Sequence, residues 1–106
     1  MTGVDWSNRT PETLRIEMVR ERDDFQLRAK GISQPHANKL LRVLKDGKEL
    51  PPIHVAMIGK AMYVVDGFHR LHALRTAKRG LVQALVARMS LKEAQAEARL
   101  ANRGTG

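Results

Sequence analysis

The chain has 106 residues, no cysteine and a formal net charge of +8, from 19 Lys and Arg against 11 Asp and Glu. The length predicts a single domain, and the lack of cysteine excludes disulfides, thiolate catalysis and cysteine-based metal sites. Aromatic residues make up only 4% of the chain, which argues against a single-strand platform built on aromatic faces. The basic charge favours a polyanionic partner, namely nucleic acid, a nucleotide or an acidic protein.

The sequence contains neither a signal peptide nor an apolar run long enough to span a membrane. We therefore expect a cytoplasmic protein with no membrane partner. The absence of cysteine agrees with that location.

The first half of the chain predicts a polar extension, a strand and a helix. Residues 1–13 are interpreted as an N-terminal extension that is anchored by Trp6. Apolar and charged residues alternate over residues 14–18, which predicts a short strand. A helix is predicted to begin at Gln34, to carry an apolar stripe at i, i+3, i+4 and i+7, and to end before Gly47.

The second half predicts a hairpin, a helix, a strand and a last helix. Two alternating runs around a Gly-Lys turn predict a β-hairpin over residues 53–65. A helix is predicted over residues 68–79 and a strand over residues 82–88. Ser90 and Glu93 have the spacing of a capping box, which predicts that the last helix begins there.

This order of elements indicates an α+β fold in which a small mixed β-sheet packs against helices. We expect one domain over residues 14–106. The turn at residues 65–70 follows a central strand, and α/β sheets place their ligand sites at such strand ends.

The segment VVDGFHRLHAL, residues 64–74, places an acid, a glycine, an imidazole and a guanidinium between a strand and a helix. Gly67 permits a backbone path that side chains disfavour, and it lets a ligand approach the main chain closely. The N–H groups of residues 68–71 are expected to be the unpaired donors of the helix start. Together with the helix dipole they predict an anion pocket.

Three side chains extend this interpretation. Arg70 has a donor fork suited to phosphate, and His69 can donate to a phosphate or exchange a proton near neutral pH. Asp66 is expected to hold Arg70 or His69, or to help bind a metal that a phosphate ligand carries. In the alternative interpretation Asp66 only caps the helix, and His69 and Arg70 are ordinary surface residues.

Four motifs occur in a fixed order: QLR at 26–28, GKELPPIHV at 47–55, DGFHRLHAL at 66–74 and LANRG at 100–104. This order resembles the ParB/sulfiredoxin superfamily, in particular its ParB-like N-terminal domain, over about three quarters of the chain. The motifs are similar to the family's Gln-Pro-Arg element, its Pro-Pro-Ile strand, its phosphate-binding signature and the asparagine that ends its last helix. The signature does not discriminate among the family's activities.

Those activities differ between branches. ParB proteins bind CTP with magnesium, hydrolyse it slowly and clamp on DNA. A related branch phosphorylates free serine with ATP or ADP, and sulfiredoxins repair over-oxidised peroxiredoxins with ATP.

The resemblance implies that nucleotide phosphates are held at the DGFHR turn. Gly67, His69 and Arg70 match the phosphate-contacting signature, the N–H of Phe68 joins them, and Arg28 matches the arginine of the Gln-Pro-Arg element.

The resemblance also implies a cofactor and leaves the catalytic groups open. Asn102 matches the asparagine associated with nucleotide and magnesium in ParB, so magnesium with a nucleoside triphosphate is the implied cofactor. The catalytic candidates are Glu17, Asp66 and His69. Glu17 is the nearest analogue of the glutamate base of the serine-kinase branch, and the alternative is that it is only a surface charge.

Two departures from the family pattern limit these implications. Phe68 stands where sulfiredoxin requires a cysteine, so sulfiredoxin activity is excluded. Ala101 stands where ParB usually has a glutamate, which disfavours efficient ParB-type hydrolysis. If the protein is an enzyme, we therefore expect a slow nucleoside triphosphate hydrolase or a phosphotransferase.

The favoured function is a nucleotide-binding ParB-like domain, specific for CTP or ATP, of a DNA-associated plasmid, phage or partition-type protein. One alternative is a phosphotransferase or nucleotidase of the free-serine-kinase type that acts on a small metabolite. The other is a basic nucleic-acid or protein-interaction module that has lost nucleotide chemistry. Because ParB's helix-turn-helix and dimerisation segments have no counterpart here, we expect DNA binding to be weak and non-specific. The sequence leaves open whether the protein forms a homodimer.

Overall fold

A mixed β-sheet forms the centre of the computed structural model, which describes residues 4–25 and 34–103, with side chains up to residue 101. This part of the chain contains five strands and three helices in an α+β arrangement, as the sequence predicts. In chain order they are β1 (Glu12–Arg15), β2 (Val19–Arg20), α1 (Gln34–Lys45), β3 (Ile53–Ile58), β4 (Ala61–Asp66), α2 (Phe68–Thr76), β5 (Leu81–Arg88) and α3 (Leu91–Arg103).

The strands lie in the order β1-β5-β3-β4-β2, so the predicted hairpin of β3 and β4 is at the middle of the sheet. β3 pairs antiparallel with β4 and parallel with β5. The edge strands are β1, antiparallel to β5, and β2, parallel to β4. Ile53, Val55 and Ala56 of β3 are completely buried, which is expected of a central strand with both neighbours in place.

The helices cover the sheet as their apolar stripes require. α1 packs against α2 and buries Ala37 and Leu44, whereas α3 packs against β4. α2 ends at Thr76, before the predicted residue 79, because Lys78 takes a left-handed φ of 58°. Within the described ranges, no helix is long and apolar enough to cross a membrane.

The predicted capping box at the start of α3 is present. The Ser90 N–H donates to Glu93 Oε1 at 3.0 Å, and the Glu93 N–H donates to Ser90 Oγ at 3.2 Å. Hydrogen bonds from the backbone and the hydroxyl of Ser90 hold the pKa of Glu93 below its ordinary value. These bonds satisfy two of the donors that a helix N-terminus leaves unpaired.

The predicted strand over residues 14–18 is wrong in its bounds. β1 ends at Arg15, a 3-10 turn follows at Ile16–Met18, and β2 begins at Val19. Ile16 is buried, and its N–H donates to the Gly80 carbonyl at 3.0 Å. The chain must turn at this point because β1 and β2 lie at opposite edges of one sheet.

The N-terminal segment is fastened to the domain by Trp6. Its indole Nε1–H donates to Glu97 Oε1 at 2.8 Å, and the Val4 N–H donates to the other oxygen of that carboxylate at 3.2 Å. Glu97 is only 6% exposed, so these donors satisfy a buried charge. Residues 12 and 13, which the sequence assigns to the extension, are part of β1.

Candidate functional site

The predicted strand-to-helix turn joins β4 to α2 through Gly67. This residue has φ 102° and ψ 29°, in the left-handed region that disfavours side chains. A Cβ atom at this position would lie 2.7 Å from Ile53 Cγ2, at the buried start of β3. Glycine is therefore required by the backbone conformation and by close packing against β3.

The first turn of α2 presents its backbone donors at the positive end of the helix dipole. Leu71, which the sequence analysis counts among the unpaired donors, is not one of them, because its N–H donates to the Gly67 carbonyl at 2.9 Å. Phe68 is 7% exposed and its side chain belongs to the hydrophobic core. Only the backbone of Phe68 is therefore suited to contact a ligand.

Arg70 is held in place by the chain segment that enters β3. Its Nη1 donates to the carbonyls of Pro52 at 2.6 Å and Pro51 at 3.2 Å. Its Nη2 lies 3.8 Å from Asp66 Oδ1, and 21% of the side chain is exposed. Both hydrogen bonds that Arg70 makes in the described chain come from Nη1, and Nη2 faces Asp66, so any contact with a ligand would come from Nη2 and Nε.

Asp66 lies between two basic groups and does not cap the helix. Its Oδ1 faces Arg70, and its Oδ2 lies 3.6 Å from His54 Nδ1. No side chain donates or accepts at the N-cap of α2, so the interpretation of Asp66 as the cap is wrong. Of the two alternative partners that the sequence offers, the structure places Arg70 against Asp66, and it adds His54 as a second partner.

His54 is a member of the site that sequence reasoning missed. Its ring stacks on Trp6 with 4.4 Å between centroids and 14° between planes. Burial lowers the pKa of the His54 imidazole below its ordinary value, and Arg70 acts in the same direction, whereas Asp66 and Glu97 oppose the shift. A stacked, uncharged imidazole is therefore favoured at this position. The alternation along β3 gave no signal of this role, because the stacking partner is far away in sequence.

His69 lies beside a second histidine at the other end of the site. His69 is 6% exposed, and its ring centroid is 4.5 Å from that of His36 with the planes tilted by 53°. His36 belongs to the first turn of α1 and its side chain is exposed. The site thus combines the N-terminal turns of two helices, and no sequence pattern predicted that His36 would join it.

The described residues offer single carboxylates, and no ready-made cluster, as candidate metal ligands. In the described part of the chain no three His, Asp or Glu side chains are grouped to hold an ion. Magnesium in nucleotide sites commonly uses one or two carboxylates together with substrate phosphates. Asp66, with 35% of its side chain exposed, fits the role of such a single carboxylate.

Glu17 is separated from the other catalytic candidates. Its carboxylate lies 3.8 Å from the Arg15 guanidinium, and both side chains are exposed. Glu17 lines a shallow cavity together with Arg75 and Arg79, next to the C-terminal end of α2. The DGFHR turn is at the N-terminal end of that helix, so the fold does not bring Glu17 to the turn.

Two predicted site residues are not placed by the structure. Arg28 lies outside the described residues. Asn102 lies in the last turn of α3, and its side chain is likewise outside the described part.

Comparison with known proteins identifies the fold. No family model and no curated protein matches the chain. The solved structures that match include the C-terminally truncated chromosome-partitioning protein ParB from Caulobacter crescentus complexed with CTP-gamma-S. The two chains are 18% identical with a TM-score of 0.75, and the match covers 92% of this chain and 54% of the ParB chain.

Two further structures agree with this match. The same ParB complexed to the centromeric parS site gives 19% identity and a TM-score of 0.69, over 90% of this chain and 49% of that chain. Sulfiredoxin from Arabidopsis thaliana gives 16% identity and a TM-score of 0.69, over 83% of this chain and 96% of sulfiredoxin.

The chain therefore has a ParB/sulfiredoxin-like fold, as its motifs predict. It spans about half the length of the two Caulobacter crescentus ParB chains that it matches. It contains no cysteine, so no side chain of this sequence can act as a thiol nucleophile.

Replacing Gly67 by Ala is expected to destabilise the domain by about 2–4 kcal/mol, from backbone strain together with overlap against Ile53. The matched control is Gly59→Ala, because Gly59 also has a positive φ but nothing within 4 Å of an added Cβ. It should cost about 1 kcal/mol. Urea denaturation measures the free energy of unfolding of both variants. Equal losses of stability in the two variants would show that the contact with Ile53 is unimportant.

The depressed pKa of His54 predicts a loss of stability in mild acid. Because the unfolded chain binds a proton at His54 more readily than the folded chain, the free energy of unfolding should fall as the pH drops through about 6.5. His54→Phe keeps a ring against Trp6 without this proton. Urea denaturation from about pH 8 to about pH 5.5, which spans the ordinary pKa of histidine, should show the wild type losing more stability than the variant. If the free energy of unfolding of both proteins changed equally with pH, the lowered pKa of His54 would be contradicted.

Proposed function

We propose that this chain is a nucleotide-binding, ParB-like domain of a DNA-associated protein and that it holds nucleotide phosphates at the DGFHR turn. The observation that carries the proposal is the position of the Arg70 guanidinium. The Pro51 and Pro52 carbonyls hold it beside the N-terminus of α2 through Nη1 alone, which leaves Nη2 and Nε as the nitrogens suited to a ligand. A fixed guanidinium next to a helix N-terminus suits phosphate in charge and in hydrogen bonding.

The neighbouring groups are consistent with a phosphate ligand. His69 and His36 bring two imidazoles to the same end of α2, and each can donate a hydrogen bond to an anion. Asp66 is the one carboxylate that the described ion pairs place at the turn, and it already faces two basic groups. The negative charge of Asp66 is therefore offset by Arg70 and does not exclude an anion from the turn.

The proposed ligand is CTP or ATP with magnesium. One ParB neighbour holds CTP-gamma-S, which supports a nucleoside triphosphate as the ligand class. When bound, magnesium would supply positive charge to the phosphates. Asp66 is the carboxylate suited to assist it, and Asn102 is the further candidate that the sequence resemblance implies.

The wider assignment to a plasmid, phage or partition-type protein rests on two observations. A ParB neighbour is complexed to the centromeric parS site, and this chain has a net charge of +8. The alternative of free-serine-kinase-type phosphotransfer is less favoured, because its proposed base Glu17 lies away from the turn. The remaining alternative, an interaction module without nucleotide chemistry, is one outcome of the experiment below.

Arg70→Ala should weaken nucleotide binding roughly ten- to a hundredfold, because it removes a charge-assisted phosphate contact. It should also lower the free energy of unfolding by about 1–3 kcal/mol, since the carbonyls of Pro51 and Pro52 lose their donor. Thermal shift with CTP, ATP, GTP and ADP, with and without magnesium, selects the nucleotide. Isothermal titration calorimetry then measures the affinity at a temperature where both proteins are folded.

His72→Ala is the matched control, because His72 lies three positions beyond His69 on α2 and is half-buried along the helix. Its nucleotide affinity should equal that of the wild type. If no nucleotide stabilises the wild type, the interaction module replaces the proposal. A nucleotide affinity that survives Arg70→Ala unchanged would remove Arg70 from the phosphate site.

A further inference from the structure

We propose that the exposed face of α1, together with Lys48, binds the phosphate backbone of duplex DNA. We call this surface the basic groove, which is lined by Asn38, Lys39, Arg42, Asp46 and Lys48 among others. The inference rests on the proposed function in one respect only, that DNA is the partner. It assigns that contact to a surface outside the DGFHR turn.

The charge of α1 is one-sided. Its sequence QPHANKLLRVLK carries Lys39, Arg42 and Lys45 and no acidic residue. All three side chains are exposed, as is Lys48 just beyond the helix. The buried side of α1 is formed by Ala37 and Leu44, so the charge lies on the face that the fold leaves to solvent.

Lys39, Arg42, Lys45 and Lys48 form no ion pair with a carboxylate of the described residues. In the described chain the ion pairs of the other basic residues involve Arg15, Arg22, His54, Arg70 and Arg75. None of these pairs includes a cation of α1 or Lys48. Asp46 is the single acid in the basic groove, where it is outnumbered by Lys39, Arg42 and Lys48. The surface therefore keeps a net positive charge.

The spacing of these cations suits a polyanion. Lys39, Arg42 and Lys45 follow one another at three-residue intervals and span about 9 Å along the helix axis. The Lys48 N–H donates to the Val43 carbonyl at 3.2 Å, which turns the chain back and keeps Lys48 beside the helix. Duplex DNA presents one charge for about every 1.7 Å of its axis, so several cations on this face can meet phosphates at once.

The polar character of the groove favours DNA over a membrane or a protein partner. The large hydrophobic residues that are exposed in the described chain are Met18, Leu81, Leu91 and Leu100, and none lies on α1. A helix that binds a membrane surface needs apolar side chains to insert, and protein interfaces centre on buried aromatic or arginine anchors. The neighbours of the cations here are Gln34 and Asn38, whose side chains share a 3.0 Å hydrogen bond.

The test replaces three groove cations, as Lys39→Ala, Arg42→Ala and Lys48→Ala together. The matched control is Lys60→Ala, Lys92→Ala and Arg99→Ala, which removes the same charge from exposed positions on the β3–β4 turn and on α3. Fluorescence anisotropy with a labelled mixed-sequence duplex measures affinity over a series of salt concentrations. The groove variant should lose about tenfold or more in affinity at low salt, with a slope of log K against log salt shallower by about two to three.

The control variant should stay within about twofold of the wild type, because its cations are not expected to contact the duplex. Equal losses in the two variants, or no duplex binding by the wild type, would overturn the inference. So would groove-dependent binding to anionic phospholipid vesicles without binding to the duplex. Nucleotide thermal shifts on the same proteins separate the two proposals. A nucleotide shift without duplex binding contradicts only DNA binding by the basic groove. Duplex binding without a nucleotide shift contradicts only the nucleotide site.

Discussion

The arrangement of the site depends on the clamp that Arg70 forms between α2 and the segment entering β3. Its Nη1 binds the carbonyls of Pro51 and Pro52, which have no regular strand partner before β3 begins at Ile53. Across the same interface Gly67 approaches Ile53 so closely that a side chain cannot fit. The central strand, the turn and the first turn of the helix are therefore positioned as one unit.

This clamp gives structural support and the proposed phosphate contact to the same side chain. The guanidinium uses Nη1 for the fold and directs Nη2 towards Asp66, beside the helix N-terminus. Asp66 divides its carboxylate between Arg70 and His54, and His54 stacks on Trp6. The N-terminal segment is thus connected to the turn through a stacked ring and an ion pair.

The sequence predicted the regular elements where local signals were strong. The apolar stripe of α1, the alternating hairpin and the capping box of α3 are local patterns, and the structure places helices and strands at those positions. The prediction was wrong for residues 14–18 because their conformation depends on Gly80, whose carbonyl accepts a hydrogen bond from the Ile16 N–H. Alternation within five residues cannot reveal that the chain crosses there from one edge of the sheet to the other.

The sequence by itself determined the chemistry of the turn: a glycine that no other residue replaces easily, a basic excess, and no thiol. The tertiary structure alone decided which groups meet. It joined Arg70 to Pro51, His69 to His36, and Asp66 to His54, and it left Glu17 near the other end of α2. These pairings arise from the packing of elements that are distant in sequence, whereas the chemistry and charge of the turn depend on residues that are adjacent in sequence.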